Sequence, residues 1–285
     1  MNLYDINTVN KILSRHGFTF SKALGQNFLI DPDVCPEMAA SLNANEHTAA
    51  LEIGPGIGVL TKELCKVCGK VACIELDKRL FSVLDETLGE FDNLKIIEGD
   101  ALKMDLKSLI ETEFKGMNSV KVCANLPYYI TSPLIMKLLE SKLPVDDIVV
   151  MVQKEAAERL CAPIGSRECG AVTVAANYYA EPEMLFDVGR EAFMPSPKVD
   201  SAVMRLKIRK KPPVEIQDEA KFFKVVKAAF SQRRKTAANC LSAGLGISKS
   251  DAAAALAEAG KSEKDRAESF SMQEFETLAR ILPIK

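Results

Sequence analysis

Short apolar runs alternate with helix-like segments along the first half of the chain, and this alternation constrains the fold more than any other feature. The predicted helices cover residues 31–40, 59–68, 78–88 and 133–143, the first with Asp31 as its N-cap and Pro32 behind it. The predicted strands are residues 48–53, 70–75, 94–98, 121–124 and 147–153. Strands separated by helices form βαβ units, so we expect a mostly parallel sheet with helices on both faces.

The second half of the chain changes character twice. Residues 171–179 and 201–209 resemble two strands without a clear helix between them, which predicts an antiparallel pair at the edge of the sheet. After Lys210-Lys211-Pro212-Pro213, a linker by composition, the pattern is helical to the end. The sequence therefore predicts an α/β domain at residues 1–211 and a small all-α domain at residues 212–285.

A glycine-rich loop, Gly54-Pro55-Gly56-Ile57-Gly58, joins the first predicted strand to a helix. Its spacing differs from the G-x-G-x-x-G of dinucleotide-binding loops, and Glu52 just before it suits a ligand with an ammonium group better than a phosphate. Glu75 ends the second strand, where it can accept from both ribose hydroxyls. Asp100 follows the third strand, where it can accept from an adenine amine. Acids at the ends of three successive strands predict a site for S-adenosylmethionine rather than for a nicotinamide cofactor.

The fourth predicted strand runs into Asn125-Leu126-Pro127-Tyr128. Asn125 offers an amide oxygen, Pro127 has no N–H to donate, and Tyr128 offers a flat ring on which a base can stack. Two acceptors on an exocyclic adenine amine would localise its lone pair and aim it at an electrophilic methyl group. The plain alternative is a turn after a strand, with Tyr128 as a core aromatic. The motif predicts methylation of an adenine amino group.

Taken together, these motifs resemble the ribosomal RNA adenine N6-dimethyltransferases, and most closely the bacterial branch that acts on small-subunit (16S) rRNA. The resemblance extends over nearly the whole chain and rests on seven motifs in a fixed order. They are residues 22–31, 52–61, 74–77, 98–101, 125–128, 193–201 and 230–236.

The resemblance implies a Rossmann-like class I methyltransferase fold and a role for each matching residue. Asn125 and Tyr128 would be catalytic, and Phe193 would pack on the target base from the other face. The implied substrate is a pair of adjacent adenosines in a 3′-terminal hairpin loop of 16S rRNA in an immature small subunit, whose maturation their N6,N6-dimethylation assists. The implied contacts to S-adenosylmethionine are Gln26, Asn27, Leu29, Gly54, Glu75, Asp100 and Asn125.

Charge and cysteine content add expectations about partners. The net charge is −2, but residues 203–235 carry 11 basic and 3 acidic residues, and such a one-signed segment is typical of a phosphate-binding surface. Within it we expect Arg233, Arg234 and Lys235 to bind RNA. The 8 scattered cysteines and 2 histidines favour neither a disulfide scaffold nor a metal site. We expect a cytoplasmic, metal-free monomer without a membrane segment.

Two other functions remain open at this stage. Large-subunit (23S) rRNA adenine methyltransferases of the macrolide-resistance type resemble the first half of the chain, although residues 231–236 and the Asn-Leu-Pro-Tyr form favour the small-subunit type. A non-catalytic RNA-binding assembly factor is the second alternative, and the intact Asn125 and Tyr128 disfavour it. A small-molecule methyltransferase would not need the basic segment.

Overall fold

The apolar runs of the sequence become the strands of a seven-stranded sheet in the computed structural model, which describes residues 1–21 and 26–283. A separate two-stranded sheet joins β1 and β8. The strands are β1 (Phe28–Leu29), β2 (Thr48–Ile53), β3 (Lys70–Glu75), β4 (Leu94–Glu98), β5 (Ser119–Asn125), β6 (Asp147–Gln153), β7 (Ala180–Val188), β8 (Phe193–Met194) and β9 (Ser201–Ile208).

Helices connect these strands and form the C-terminal part of the chain. None of those in the described ranges combines enough length and apolar character to cross a membrane. They are α1 (Ile6–Arg15), α2 (Val34–Ser41), α3 (Val59–Val67), α4 (Phe81–Leu88), α5 (Leu106–Glu113), α6 (Thr131–Glu140), α7 (Lys154–Cys161), α8 (Ala171–Tyr179), α9 (Glu219–Ala229), α10 (Ala237–Leu245), α11 (Lys249–Glu258) and α12 (Met272–Ile281).

The large sheet has the strand order β4-β3-β2-β5-β6-β9-β7. Neighbouring strands from β4 to β6 are parallel, and β9 pairs antiparallel with β6. The chain leaves β2 towards β3 on one side and later returns to β5 on the other, so the strand order reverses at β2. Ligands of open α/β sheets bind at such a reversal, beyond the carboxyl ends of the strands. The predicted class I methyltransferase architecture is confirmed.

The structure divides the chain into two compact units. The first contains Met1–Ala157 and Pro182–Ile208, and the second contains Glu158–Glu181 and Arg209–Lys285. The division after Ile208 lies close to the expected one after residue 211. The second unit is nevertheless not formed by the C-terminal segment alone, because Glu158–Glu181 belongs to it.

Residues 171–179 form helix α8, so the prediction of a strand there is wrong. The segment is apolar along almost its whole length, and such a run does not distinguish a buried strand from a buried helix. The helix begins where Gly170 N donates to Thr173 Oγ1 at 2.9 Å and Thr173 Oγ1 donates to Arg159 O at 2.7 Å. The edge partner of β9 is instead β7, which the sequence analysis did not identify.

The start of the first predicted helix is also wrong. Asp31 does not cap α2, because its Oδ1 accepts from Asp33 N at 2.9 Å and forms a turn before the helix. The helix therefore begins at Val34, with Asp33 in the N-cap position and without a side-chain cap.

Helices of the second unit pack around a core of aromatic and aliphatic side chains, among them Phe222, Phe270 and Phe275. The last helix of this unit, α12, begins with a capping box. Ser271 Oγ accepts from Glu274 N at 3.2 Å, and Ser271 N donates to Glu274 Oε2 at 2.7 Å. The basic motif at residues 233–235 lies between α9 and α10 of this unit.

Candidate active site

One cavity lies at the carboxyl ends of β2, β3, β4 and β5 in the first unit. It brings together nine residues that the sequence analysis selected from separate motifs. These lining residues are Gln26, Asn27, Leu29, Gly54, Glu75, Asp100, Asn125, Tyr128 and Phe193. Lys22, Ala23, Leu24 and Gly25, which belong to the first of the seven motifs, lie outside the described residues.

The glycine loop forms the floor of this cavity between β2 and α3. Gly54 has φ 72° and Gly58 has φ 90°, a left-handed conformation that side chains disfavour. At Gly58 a Cβ atom would also lie 2.8 Å from Leu88 Cδ1, so packing excludes a larger residue there. The backbone can therefore turn tightly and leave the cavity open beside Gly54.

Glu75 is held rigidly at the end of β3. Its Oε1 accepts from Asp77 N at 2.7 Å, and its Oε2 accepts from Gly56 N at 3.4 Å. The carboxyl group is buried, and burial raises its pKa while these backbone bonds oppose the increase. Each carboxylate oxygen can accept more than one hydrogen bond, so this orientation leaves acceptor capacity for two ligand hydroxyls.

Asp100 lies in a short turn after β4 that is braced from a helix. Its Oδ1 accepts from Leu102 N at 3.0 Å, and its Oδ2 is 3.3 Å from Lys103 Nζ. Lys137 on α6 donates from Nζ to Leu102 O at 2.8 Å and to Met104 O at 2.7 Å. Lys137 was not predicted from the sequence, because no local pattern indicates that its ammonium reaches this turn.

Glu52 on β2 is almost completely buried beside the cavity. Cys73 Sγ donates to its Oε2 at 3.3 Å, and burial raises the pKa of Glu52 to about 7. A carboxyl group that is desolvated in this way favours a cationic ligand at the open side of the cavity. This environment is consistent with the ammonium-binding role that the sequence suggested.

A polar network ties the segment before β1 to the residues after β3. Gln26 Oε1 accepts from Ser21 N at 2.8 Å, and its Nε2 donates to Asp77 Oδ2 at 2.8 Å. Arg79 pairs with the same Asp77 oxygen at 2.6 Å and lies over the Phe18 ring, 5.0 Å from its centroid. Gln26 thus lines the cavity while it also braces this segment.

The Asn125-Leu126-Pro127-Tyr128 motif passes from β5 into a short 3₁₀ turn, Tyr128–Ile130. Asn125 is the last residue of β5 and pairs with Met151 of β6, and Leu126 N then donates to Met151 O at 3.0 Å. This pairing fixes the backbone on both sides of the Asn125 side chain. The predicted strand-to-turn context of the motif is present.

Tyr128 is anchored by its hydroxyl group. The phenol oxygen is 2.7 Å from Ser201 Oγ on β9, and Ser201 is buried. Burial of the Tyr128 side chain raises the pKa of the phenol, so the group stays neutral. Ser201 was missed as a partner because it lies 73 positions away in the sequence.

Phe193 forms part of a wall of the cavity from the small β1–β8 sheet, where it pairs with Leu29. Only 3% of Phe193 is exposed, and it also packs in the core of the first unit. Both readings of Phe193, as a core aromatic and as a cavity residue, therefore fit its position.

The remaining candidate groups do not line the cavity. Arg233, Arg234 and Lys235 are exposed on the turn between α9 and α10. Two other basic residues of the 203–235 segment have acidic partners: Arg205 lies 3.4 Å from Glu183 and Arg209 lies 2.9 Å from Glu181. The positive charge of residues 203–235 that is available to a partner is therefore smaller than the number of basic residues in the segment suggests.

The cysteines are free thiols, and both Cys65 and Cys68 are buried in the core. Within residues 1–21 and 26–283, no three His, Cys, Asp or Glu side chains lie together in a way that would hold a metal ion. The absence of metal from the reaction stays a prediction.

Relatives of known name resemble this chain over nearly its full length. Proteins named ribosomal RNA small subunit methyltransferase A from Shouchella clausii and Bacillus cereus are 47% and 46% identical to it. The alignments cover 96% and 98% of this chain and 93% and 97% of the relatives.

Two solved structures of rRNA-modifying or dimethyladenosine-forming enzymes also resemble this chain. A dimethyladenosine transferase from Plasmodium falciparum matches 88% of this chain and 95% of its own, with a TM-score of 0.72 and 25% identity. The 23S rRNA methyltransferase ErmE matches 90% of this chain and 99% of its own, with a TM-score of 0.65 and 26% identity. The family model described as ribosomal RNA adenine dimethylase matches residues 17–280. The chain therefore belongs to the ribosomal RNA adenine dimethylase family.

Proposed function

We propose that this chain dimethylates the N6 atoms of two adjacent adenosines in the 3′-terminal hairpin loop of 16S rRNA and so contributes to maturation of the small subunit. The chain is an rRNA adenine dimethyltransferase that uses S-adenosylmethionine. The observation that carries the finer proposal is one cavity lined by Asn125 and Tyr128 together with Glu75 and Asp100. It combines groups for an adenine amine with groups for an adenosyl ligand.

The residues of the cavity fit S-adenosylmethionine group by group. Glu75 accepts from the ribose hydroxyls, Asp100 accepts from the adenine amine, and Glu52 lies where an ammonium group would be favoured. Gln26, Asn27, Leu29 and Gly54 contribute the adjoining wall and floor. The bound donor supplies an electrophilic methyl group on a sulfonium.

Asn125 and a neighbouring carbonyl activate the target amine in this proposal. The Asn125 amide oxygen accepts from one N6–H. Pro127 O already accepts from Ile130 N at 3.1 Å and from Thr131 Oγ1 at 3.3 Å, so the Leu126 carbonyl is the better second acceptor. Both acceptors stabilise a tetrahedral amine more than a planar one, which lowers the barrier to attack on the methyl carbon. As the N6–C bond forms, the S–C bond of the sulfonium breaks and S-adenosylhomocysteine is the leaving group. The methylated amine then releases its proton to water, without a general base acting before attack.

Tyr128 and Phe193 hold the adenine ring while this happens. Both line the cavity, and the Tyr128 ring is fixed through Ser201. An adenine removed from its stack needs such aromatic surfaces, because each stacking contact contributes about 1–3 kcal/mol.

The RNA itself would be held mainly through its backbone. Arg233, Arg234 and Lys235 are exposed on one turn of the second unit, and none of the three has an ion pair with a carboxylate in the described residues. We assign them to phosphate contacts, because rigid RNA helices offer mostly backbone and shape to a protein. The substrate in this proposal is an immature small subunit, and the enzyme acts as a cytoplasmic, metal-free monomer.

Similarity favours the small-subunit substrate over the large-subunit alternative. The small-subunit relatives are 45–47% identical to this chain, whereas the 23S rRNA methyltransferase ErmE is 26% identical. The non-catalytic alternative is disfavoured because Asn125 and Tyr128 remain in the cavity.

The deciding experiment incubates the protein with methyl-labelled S-adenosylmethionine and immature small subunits, and then maps the labelled nucleotides. We expect dimethylated adenosines in the 3′-terminal hairpin of 16S rRNA. Asn125→Ala should abolish this transfer and leave RNA affinity nearly unchanged. Asn118→Ala, a matched change of an exposed residue outside the cavity, should leave both unchanged. Label in 23S rRNA alone, or full activity of Asn125→Ala, would overturn the proposal.

A further inference from the structure

A second aromatic residue follows Tyr128 in the same 3₁₀ turn. Tyr129 also lines the cavity, yet 54% of it is exposed, whereas the Tyr128 side chain is half-buried and anchored to Ser201. Large aromatic side chains that stay exposed beside a cavity are typical of binding surfaces. The sequence motif gives Tyr129 no role.

The neighbours of Tyr129 identify the part of the cavity that it faces. Burial raises the pKa of its phenol, and the carboxylates of Asp100 and Glu75 raise it further. These are the two acids assigned to the adenine amine and to the ribose hydroxyls. Leu76, which is 49% exposed, lines the cavity as well. Tyr129 thus shares the cavity with the two acids assigned to the nucleoside and with the apolar side chain of Leu76.

A planar nucleoside needs both kinds of surface that are found here. The acids satisfy its polar edge, and its faces gain most from aromatic or aliphatic contact. A half-exposed ring in this cavity has surface available for such a contact.

We propose that Tyr129 is a donor-binding residue whose ring covers the adenosyl half of S-adenosylmethionine at the mouth of the cavity. This inference rests on the proposed function, because it takes the cavity to be the methyl-donor site. One turn then carries two aromatic side chains with separate tasks, Tyr128 for the target base and Tyr129 for the donor.

Calorimetry with S-adenosylhomocysteine tests this without any RNA. Tyr129→Ala should lower the affinity by roughly 5- to 150-fold, the equivalent of the ~1–3 kcal/mol of an aromatic stack. Tyr129→Gln, which also lacks the ring, should show a comparable loss, and Tyr129→Phe should stay within about threefold of the parent, a change below ~1 kcal/mol. Ile6→Ala removes a similarly exposed apolar side chain outside the cavity and should change nothing.

A shorter ligand locates the contact. 5′-Methylthioadenosine keeps the adenosyl half and lacks the amino acid half, so Tyr129→Ala should weaken it by the same factor as S-adenosylhomocysteine. A loss confined to S-adenosylhomocysteine would place the ring at the other end of the ligand and overturn the inference.

The remaining outcomes separate this inference from the proposed function. Unchanged ligand affinity with weakened RNA binding in Tyr129→Ala would assign the ring to RNA and overturn the inference, while the proposed function stands. If Tyr129→Ala shows the expected losses of ligand affinity but the parent protein does not label 16S rRNA, Tyr129 is supported as a donor-binding residue and the RNA substrate is overturned. A parent that binds neither ligand would overturn both.

Discussion

The hydrogen bond between Tyr128 and Ser201 allows the ring of Tyr128 to be tested separately from its hydroxyl. The two oxygens are 2.7 Å apart, and Ser201 is buried. A neutral hydrogen bond contributes ~0.5–1.5 kcal/mol net, but a buried group that loses its partner costs ~1–3 kcal/mol. Tyr128→Phe and Ser201→Ala should therefore each lower the free energy of unfolding by about 1–3 kcal/mol.

The double variant measures the coupling free energy between the hydroxyls of Tyr128 and Ser201. When both hydroxyls are removed, neither is left without a partner. The double variant should therefore lose less free energy of unfolding than the two single variants lose together, by about 1 kcal/mol or more. Urea unfolding of all four proteins measures this difference, provided that their m-values agree.

Methyl transfer should respond differently from stability. Tyr128→Phe keeps the ring and should retain much of the activity, whereas Tyr128→Ala loses a stacking surface of ~1–3 kcal/mol and should retain little. Tyr4→Phe is the matched control, because the Tyr4 hydroxyl donates to Glu63 Oε1 at 3.2 Å and does not line the cavity. It should leave activity unchanged.

Two results would refute this reasoning. Strictly additive costs in the four-protein cycle would show that the hydroxyls of Tyr128 and Ser201 do not depend on each other. Equal activities of Tyr128→Phe and Tyr128→Ala would show that the ring is not what Tyr128 contributes.

Three further predictions concern the donor, the RNA and pH. Glu75→Ala should weaken S-adenosylmethionine binding by about 1–3 kcal/mol, and an unchanged calorimetric affinity would remove Glu75 from the site. Replacing Arg233, Arg234 and Lys235 by Ala should weaken RNA binding and make the slope of log affinity against log salt concentration shallower by about 0.7 per lost phosphate contact. A variant with the same slope as the parent would contradict their role. Burial raises the pKa of Glu52 from 4.5 to about 7, so Glu52 stabilises the fold in its protonated form, and this contribution is lost as pH rises from 4.5 to 7. In urea unfolding without donor, the free energy of unfolding of the parent should fall by up to ~3 kcal/mol relative to that of Glu52→Gln between pH 4.5 and 7. If the free energies of the two proteins change in parallel with pH, the raised pKa of Glu52 is refuted.

Local pattern was enough to predict most of the sheet. The strands at 48–53, 70–75, 94–98 and 147–153 have the bounds that their apolar runs indicate. Each is a short run that a helix-like segment follows or precedes, and the parallel arrangement follows from that alternation. The cavity was predictable for the same reason, because the carboxyl ends of parallel strands meet at one edge.

Local pattern was not enough where an apolar segment lacks periodicity or where contacts are distant in sequence. Helix α8 has nearly the same apolar character as a buried strand, and its start depends on Thr173 and the carbonyl of Arg159. Lys137 reaches carbonyls more than thirty positions away, and no nearby residue indicates this contact. Phe193 was identified only through resemblance, because its place in the cavity depends on pairing with Leu29.

The pairing of Leu29 with Phe193 has a consequence for the newly made protein. A ribosome synthesises the chain from its N-terminus, so β1 emerges long before β8. In the folded protein Ile30 N donates to Ala192 O at 2.8 Å, and this acceptor is also synthesised late. The acids of the proposed donor site are synthesised within the first hundred residues, yet the cavity wall that includes Phe193 is complete only when Phe193 has been synthesised. A nascent chain that ends before Phe193 should therefore hold the donor poorly, although it already contains Glu52, Glu75 and Asp100.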